Sequence, residues 1–339
     1  APLCAIAPFL GWVRMHNAPV SKRCICLLLI LCGAIASRAR RAKPEYCRTD
    51  LPGCCPKVVE HVLLLHIEKT GGTSLRTFLQ SAVKRRFKGR GAICNYLKHM
   101  PYQCQPSSAA GGNSSCNARN YAYYQSAITT GDHFRRGCKL TSSHHDFRIV
   151  DAIPPHIRNT TLLIVNLRDP AGRAVSHFHM LRRHRDPGAL NSTVVDYFVR
   201  NPLGVAISRN RMTRVMAGEF CCKKGLPAVY ESDALYGRAR ARLEEFCVVG
   251  LTSRVQETML YVQHVLGQVT DRPPKNLHYH NNANRYQPVD PAVLQQLDEF
   301  NGNDVELYKQ AEGRFGAQML AIGRSATDNS TAAAAEAGA

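Results

Sequence analysis

The sequence predicts an α/β protein: a central parallel sheet with helices on both faces. Short apolar runs of buried-strand type occur at Val62–Ile67 (VLLLHI), Leu162–Leu167 (LLIVNL) and Val248–Leu251 (VVGL). Each of the first two leads through a loop into apolar residues at helical spacing, so a strand-loop-helix unit occurs twice. Alternation of this kind, without any internal sequence repeat, is the pattern of parallel strands joined by helical crossovers. A chain of 339 residues is long enough for one large domain of this class or two small ones.

The elements come in order along the chain. Residues 1–14 form an N-terminal extension ahead of Met15, a candidate start. Cys24–Ala36 (CICLLLILCGAIA) is a thirteen-residue apolar run between Lys22-Arg23 and the cluster Arg38, Arg40, Arg41 and Lys43. It is short for a plasma-membrane span and suits the thinner membranes of the early secretory route. Residues 15–42 are therefore expected to be a signal anchor with a short tail. Ala34-Ile35-Ala36 before Ser37 also fits a signal-cleavage site, which would release a secreted chain. The heavier positive cluster comes after the run, and the positive-inside rule taken alone would put the body in the cytosol. The cysteines and glycosylation acceptors of the body favour the lumen. Residues 43–57 are basic and aperiodic and read as a stem.

The body is expected over residues 58–323. After the first strand, Leu75, Phe78, Leu79, Ala82 and Val83 recur at helical spacing, and residues 101–120 are a Ser/Gly/Asn/Pro-rich loop. After the second strand, Asp169 caps and Pro170 opens a helix that carries Ala171, Ala174, Val175 and Phe178 on one face. Leu235, Ala239, Leu243 and Phe246 mark a helix leading into the third strand. Ser253 and Gln256 suggest a capping box for a helix through Leu266. Asp290-Pro291 starts another helix, with Val293, Leu297 and Phe300 inward and a stop at Asn301-Gly302. Residues 324–339 are an Ala-rich tail expected to be disordered.

The formal charge is +19; the first 58 residues hold nine Lys/Arg against two acids, so +7 lies there and +12 in the rest. That excess calls for an anionic partner, without choosing among nucleic acid, lipid, polysaccharide and nucleotide. Ten of the fourteen cysteines lie from Cys47 to Cys247, none in C-x-x-C spacing. The vicinal pairs Cys54-Cys55 and Cys221-Cys222 fit neighbours bonded to different partners, so disulfides in an oxidising lumen are expected, with some cysteines left as buried thiols. Asn113, Asn159, Asn191 and Asn329 each begin a glycosylation acceptor triplet, which agrees with a lumen.

The strongest motif is His66-Ile-Glu-Lys69-Thr70-Gly71-Gly72-Thr73-Ser74, between a strand and a helix. Glycines let the backbone approach an anion, the free amides of Gly72, Thr73 and Ser74 face it from the helix start, and Lys69 adds a mobile charge. The hydroxyls of Thr70, Thr73 and Ser74 add donors. A plain Gly-Gly turn fits this placement less well, and a Walker A loop needs its lysine after the last glycine, whereas Lys69 precedes both. A second motif, Arg168-Asp169-Pro170-x-x-Arg173-x-x-Ser176, sets a guanidinium at a strand end and a hydroxyl on the next helix, a pairing suited to phosphate. Between the two lies Ser143-His144-His145-Asp146-Phe147, where an imidazole of ordinary pKa ~6.5 is a candidate general base.

These motifs resemble those of the Golgi sulfotransferases that include the heparan-sulfate 2-O- and 6-O-sulfotransferases, over residues 58–316. The resemblance implies a P-loop-like sulfotransferase fold and 3′-phosphoadenosine 5′-phosphosulfate (PAPS) as cosubstrate. By the resemblance the Lys69–Ser74 loop holds the 5′-phosphosulfate, and Arg168 and Ser176 hold the 3′-phosphate. His144 matches the family's catalytic histidine, with Asp146 able to orient it, and Arg285 in a late loop is a further phosphate ligand. Glu68 stands where Pro or Gln is expected. His145 and Glu68 remain alternative bases. The reaction expected is in-line transfer of a sulfuryl group to a glycan hydroxyl, with His144 taking the proton and Lys69 stabilising developing charge, without a metal. The partners expected are PAPS, an anionic polysaccharide acceptor and, through the anchor, a Golgi membrane, in single-pass type II topology; nucleic acid is not among them. A tyrosyl protein acceptor and a non-catalytic glycan-binding relative are the alternatives.

Overall fold

The computed structural model describes residues 44–89, 92–95, 137–219, 232–268 and 289–323. They fall in one compact unit that begins at Pro44. The run Cys24–Ala36, the loop 101–120, Cys221-Cys222, Asn113, Arg285 and the tail 324–339 lie outside the described residues. Among those described, no helix is long and apolar enough to cross a membrane.

Among the described residues five strands form one all-parallel sheet: β1 (His61–Leu65), β2 (Ala92–Asn95), β3 (Cys138–Ser143), β4 (Thr161–Leu167) and β5 (Val248–Leu251). Their spatial order is β2-β3-β1-β4-β5. The helices around them are α1 (Gly72–Arg86), α2 (Arg148–Asp151), α3 (Pro155–Arg158), α4 (Pro170–Arg183), α5 (Pro187–Leu190), α6 (Pro202–Ser208) and α7 (Arg211–Met216). Then come α8 (Asp233–Leu243), α9 (Val255–Val265), α10 (Pro291–Phe300) and α11 (Gly302–Ala321). The expected α/β architecture is the one observed.

β4 explains why the apolar runs read as strands. All seven of its residues are buried, since both faces of a central parallel strand are covered. Each fully buried Leu, Ile or Val side chain there contributes roughly 1.5–3 kcal/mol. The strand-helix unit repeats as expected: Asp169 Oδ1 accepts the Gly172 N–H at 2.6 Å and Pro170 opens α4. At α10, Asp290 Oδ1 accepts the Ala292 N–H at 2.8 Å. Leu297 of α10 joins a second apolar cluster with Ala174 and Phe178 of α4, as the expected inward faces require.

Two strands carry no apolar run. β3 is CKLTSS, with Thr141 and Ser142 buried, and β2 is a four-residue edge strand; the disulfide Cys94–Cys138 joins the two. They are strands because β1 offers an unpaired edge and each completes the ladder beside it. The capping box at Ser253 and Gln256 does not form. Thr252–Arg254 make one 3-10 turn, Arg254 occupies the cap of α9, and its guanidinium binds Glu257. Asn301 stops α10 as expected, but the chain resumes at once as the twenty-residue α11.

Residues 44–57 carry two disulfides, Cys47–Cys54 and Cys55–Cys247. Leu51 and Cys55 belong to the main core cluster. The vicinal Cys54 and Cys55 bond to different partners, as their spacing suggests. Asn159 and Asn191, the two acceptor residues among those described, are both exposed.

Candidate functional site

The strand order reverses at β1: the chain leaves it for β2 and β3 on one side and then crosses to β4 and β5 on the other. A parallel sheet opens a crevice at the carboxyl ends of its strands where this happens. His66–Gly71 leave the end of β1, His144 comes directly after β3, Arg168 after β4 and Thr252 after β5. Three sequence motifs whose key residues, Lys69, His144 and Arg168, lie 24 to 99 residues apart in the chain therefore meet at the carboxyl ends of adjacent strands.

The loop after β1 is held in an unusual shape. Lys69 (φ 67°) and Gly71 (φ 75°) both adopt left-handed backbone, which for lysine costs on the order of 1–2 kcal/mol. Asn166 of β4 steadies it, its side-chain amide donating to the Thr70 carbonyl and, at 3.2 Å, to the Thr252 hydroxyl. That hydroxyl donates in turn to the Leu167 carbonyl at 3.0 Å, so the ends of β1, β4 and β5 are tied together. The Leu75 N–H bonds the Gly71 carbonyl, which leaves the N–H groups of Gly72, Thr73 and Ser74 ahead of that first helical bond. No side chain caps α1 and no acid occupies its first turn. Thr73 is exposed and Ser74 half-buried; Thr70 donates its hydroxyl to the Ile67 carbonyl at 2.9 Å, inside the turn.

Positive charge converges on this loop. Arg168 Nη1 donates to the Lys69 carbonyl at 3.4 Å, and its Nε lies 3.7 Å from Asp169. Burial lowers the Lys69 ammonium to a pKa of about 8, with Arg183 and Arg168 pushing the same way. A lysine whose charge is disfavoured by burial and by its cationic neighbours, at an uncapped helix start, is an electrostatic setting for a polyanion. Ser176 is half-buried, two turns into α4.

His144 is buried, and its ring stacks on that of His66 with centroids 4.0 Å apart. Burial lowers its pKa to about 4; the Glu68 charge and a hydrogen bond to the His66 backbone oppose the shift. The ring is thus neutral at physiological pH, the protonation state a base requires. His145 is buried beside it. Asp146 is engaged by the Arg148 guanidinium at 2.6–3.0 Å and by the Arg148 N–H at 2.9 Å, so its carboxylate serves the start of α2.

Glu68 binds Arg211 through both oxygens, at 2.6 and 3.2 Å. Burial alone would raise its pKa, but the Arg211 charge and hydrogen bond hold it well below the usual carboxylate range. An ionised carboxylate so held is a poor proton acceptor. Arg211 has no motif around it and lies 143 residues from Glu68, so only the fold could reveal the pair. His66 opens the first motif; its signal was a histidine six residues before Gly72, whose missing side chain makes room for the ring. Arg173 and His177, on the same helix as Ser176, are buried on α4, with Arg173 Nη2 donating to the Ser208 carbonyl at 3.0 Å. No protein-family model matches the chain, and no curated protein matches it.

Proposed function

We propose that this chain is a PAPS-dependent sulfotransferase that moves a sulfuryl group to a glycan hydroxyl, acting from a Golgi membrane anchor in the lumen. The observation that carries the reading is the placement, at the carboxyl ends of three adjacent strands, of a lysine-bearing loop after β1, an arginine after β4 and a buried imidazole after β3. The donor set suits PAPS: uncapped amides with Lys69 for the 5′-phosphosulfate, and Arg168 with Ser176 for the 3′-phosphate. PAPS supplies an activated sulfuryl group, and the protein's share is positioning, charge stabilisation and proton removal.

In this reading His144 takes the acceptor proton and Lys69 neutralises charge on the departing bisphosphate. The two disulfides that bind residues 47–55 and the exposed Asn159 and Asn191 favour a luminal body. The test is transfer of radiolabelled sulfate from PAPS across a panel of anionic polysaccharides, neutral glycans and tyrosyl peptides. Label on a polysaccharide supports the reading, label on tyrosine moves the acceptor to protein, and no label with bisphosphate bound leaves a non-catalytic glycan binder.

A further inference from the structure

We propose that Glu68, held by Arg211, is a positioning residue for proton removal: its fixed negative charge stabilises the imidazolium that forms on His144. The inference deepens the sulfuryl-transfer reading and rests on it. Glu68 lies two residues beyond His66 at the end of β1, and the His66 ring stacks at 4.0 Å on that of His144, which leaves the end of the neighbouring strand β3. Both oxygens of Glu68 are fixed by Arg211, and both side chains are almost wholly buried. Arg211 is itself fixed, because Asp304 of α11 accepts the next two backbone N–H groups of α7, from Met212 at 3.1 Å and Thr213 at 2.7 Å. The carboxylate is therefore held in place, and its field reaches the base through a poorly screened interior.

In the transfer, a bond forms between the acceptor oxygen and sulfur as the bond from sulfur to the 5′-phosphate oxygen breaks. The electron pair of that bond leaves on the phosphate oxygen, and the hydroxyl proton passes to His144. A full positive charge then resides on a ring that burial disfavours charging. The charged and titratable groups that act on that ring are Glu68 and His66 from the end of β1, Arg76 from α1 and Arg211 from α7; Asp146, two residues further along its own segment, is paired with Arg148. Glu68 favours the protonated ring, and Arg211 and Arg76 oppose it more weakly.

The pair can be dissected because its two charges act on His144 with opposite sign. Titrating the His144 ring by NMR in the full chain, alongside the acidic limb of sulfate transfer, should rank the wild type highest in pKa. Glu68→Gln/Arg211→Gln should fall below it, and Glu68→Gln lowest, because that variant leaves only the opposing arginine. A purely structural pair would give the same His144 titration in all three proteins, or place the double variant lowest, and either result overturns the inference. The double variant also removes the lone buried charge that could prevent Glu68→Gln from folding. If the wild type transfers no sulfate from PAPS, the sulfotransferase reading fails and this inference with it; transfer with the ranking absent overturns the role of Glu68 alone.

Discussion

The His66 ring occupies the space a side chain at Gly72 would need: a Cβ there would lie 1.9 Å from His66 Cδ2 and 2.2 Å from Nε2. The first glycine of the pair meets no such obstacle, with Thr252 Cγ2 at 3.4 Å, and is instead required by its φ of 75°. Glycine is thus needed twice in succession for unrelated reasons.

Gly72→Ala is expected to push the His66 ring away from His144, at a stability cost of roughly 1–3 kcal/mol for overpacking. Gly71→Ala should cost a similar amount through backbone strain while leaving the stack in place. Urea unfolding together with His144 NMR shifts checks both, and an unmoved His144 signal in Gly72→Ala would count against the contact.

His144→Ala should leave affinity for adenosine 3′,5′-bisphosphate nearly unchanged and lower sulfate transfer by about 10²–10⁴-fold, the range for a lost general base. His145→Ala should do less. If the two variants exchange these behaviours, the base is His145. If neither slows turnover, the proton leaves by another route.

Arg168→Ala and Ser176→Ala should each weaken binding of adenosine 3′,5′-bisphosphate far more than binding of adenosine 5′-monophosphate. The comparison isolates the 3′-phosphate, and equal losses for both nucleotides would mean that the motif shapes the fold only.

Lys69, lowered to about 8, carries its charge at pH 7 and loses it as pH rises through that value. A bound bisphosphate favours the protonated amine, so affinity should fall above pH 8 and binding there should take up a proton. Calorimetry in buffers of different ionisation enthalpy reads that proton directly. Lys69→Met should abolish it and flatten the pH dependence.

Acid should destabilise the protein earlier than its carboxylates alone would. Burial, first among the causes in each case, lowers the pKa of His144 to about 4 and of His177 to about 3, and holds His66 well below its ordinary 6.5. The unfolded chain binds these protons near pH 6.5 and the folded one does not. The stability they contribute is therefore complete above pH 6.5 and is lost progressively as pH falls toward 4. Thermal melts should show Tm falling across that window, with a shallower slope in His177→Gln; a Tm unchanged down to pH 5 would contradict neutral burial.

The parts of the fold that were legible in the sequence are those whose elements announce themselves locally. β4 is buried on both faces and so must be apolar throughout, and Asp169 and Asp290 cap their helices from within a few residues. β3 was hidden because a strand paired on both sides can be polar when its neighbours supply the burial, as Thr141 and Ser142 show. The candidate site divides in the same way. Lys69, Gly71, Gly72, His144 and Arg168 stood in motifs at the ends of strands, whereas Arg211 reaches Glu68 across 143 residues and has no local signature. Ser253 had the right spacing for a capping box, but the turn after β5 set the start of α9 at Val255.

The Cys55–Cys247 disulfide, with partners 192 residues apart, makes a closed covalent ring that contains His66, Lys69, His144, Arg168, Ser176 and Arg211. A single peptide-bond cut anywhere within that ring yields two fragments that stay attached until a reductant is added. The nicked protein would therefore migrate as one species on a non-reducing gel and as two on a reducing gel. Because the core elements on both sides of the break remain tethered, each half of the crevice keeps the other at high effective concentration after cleavage.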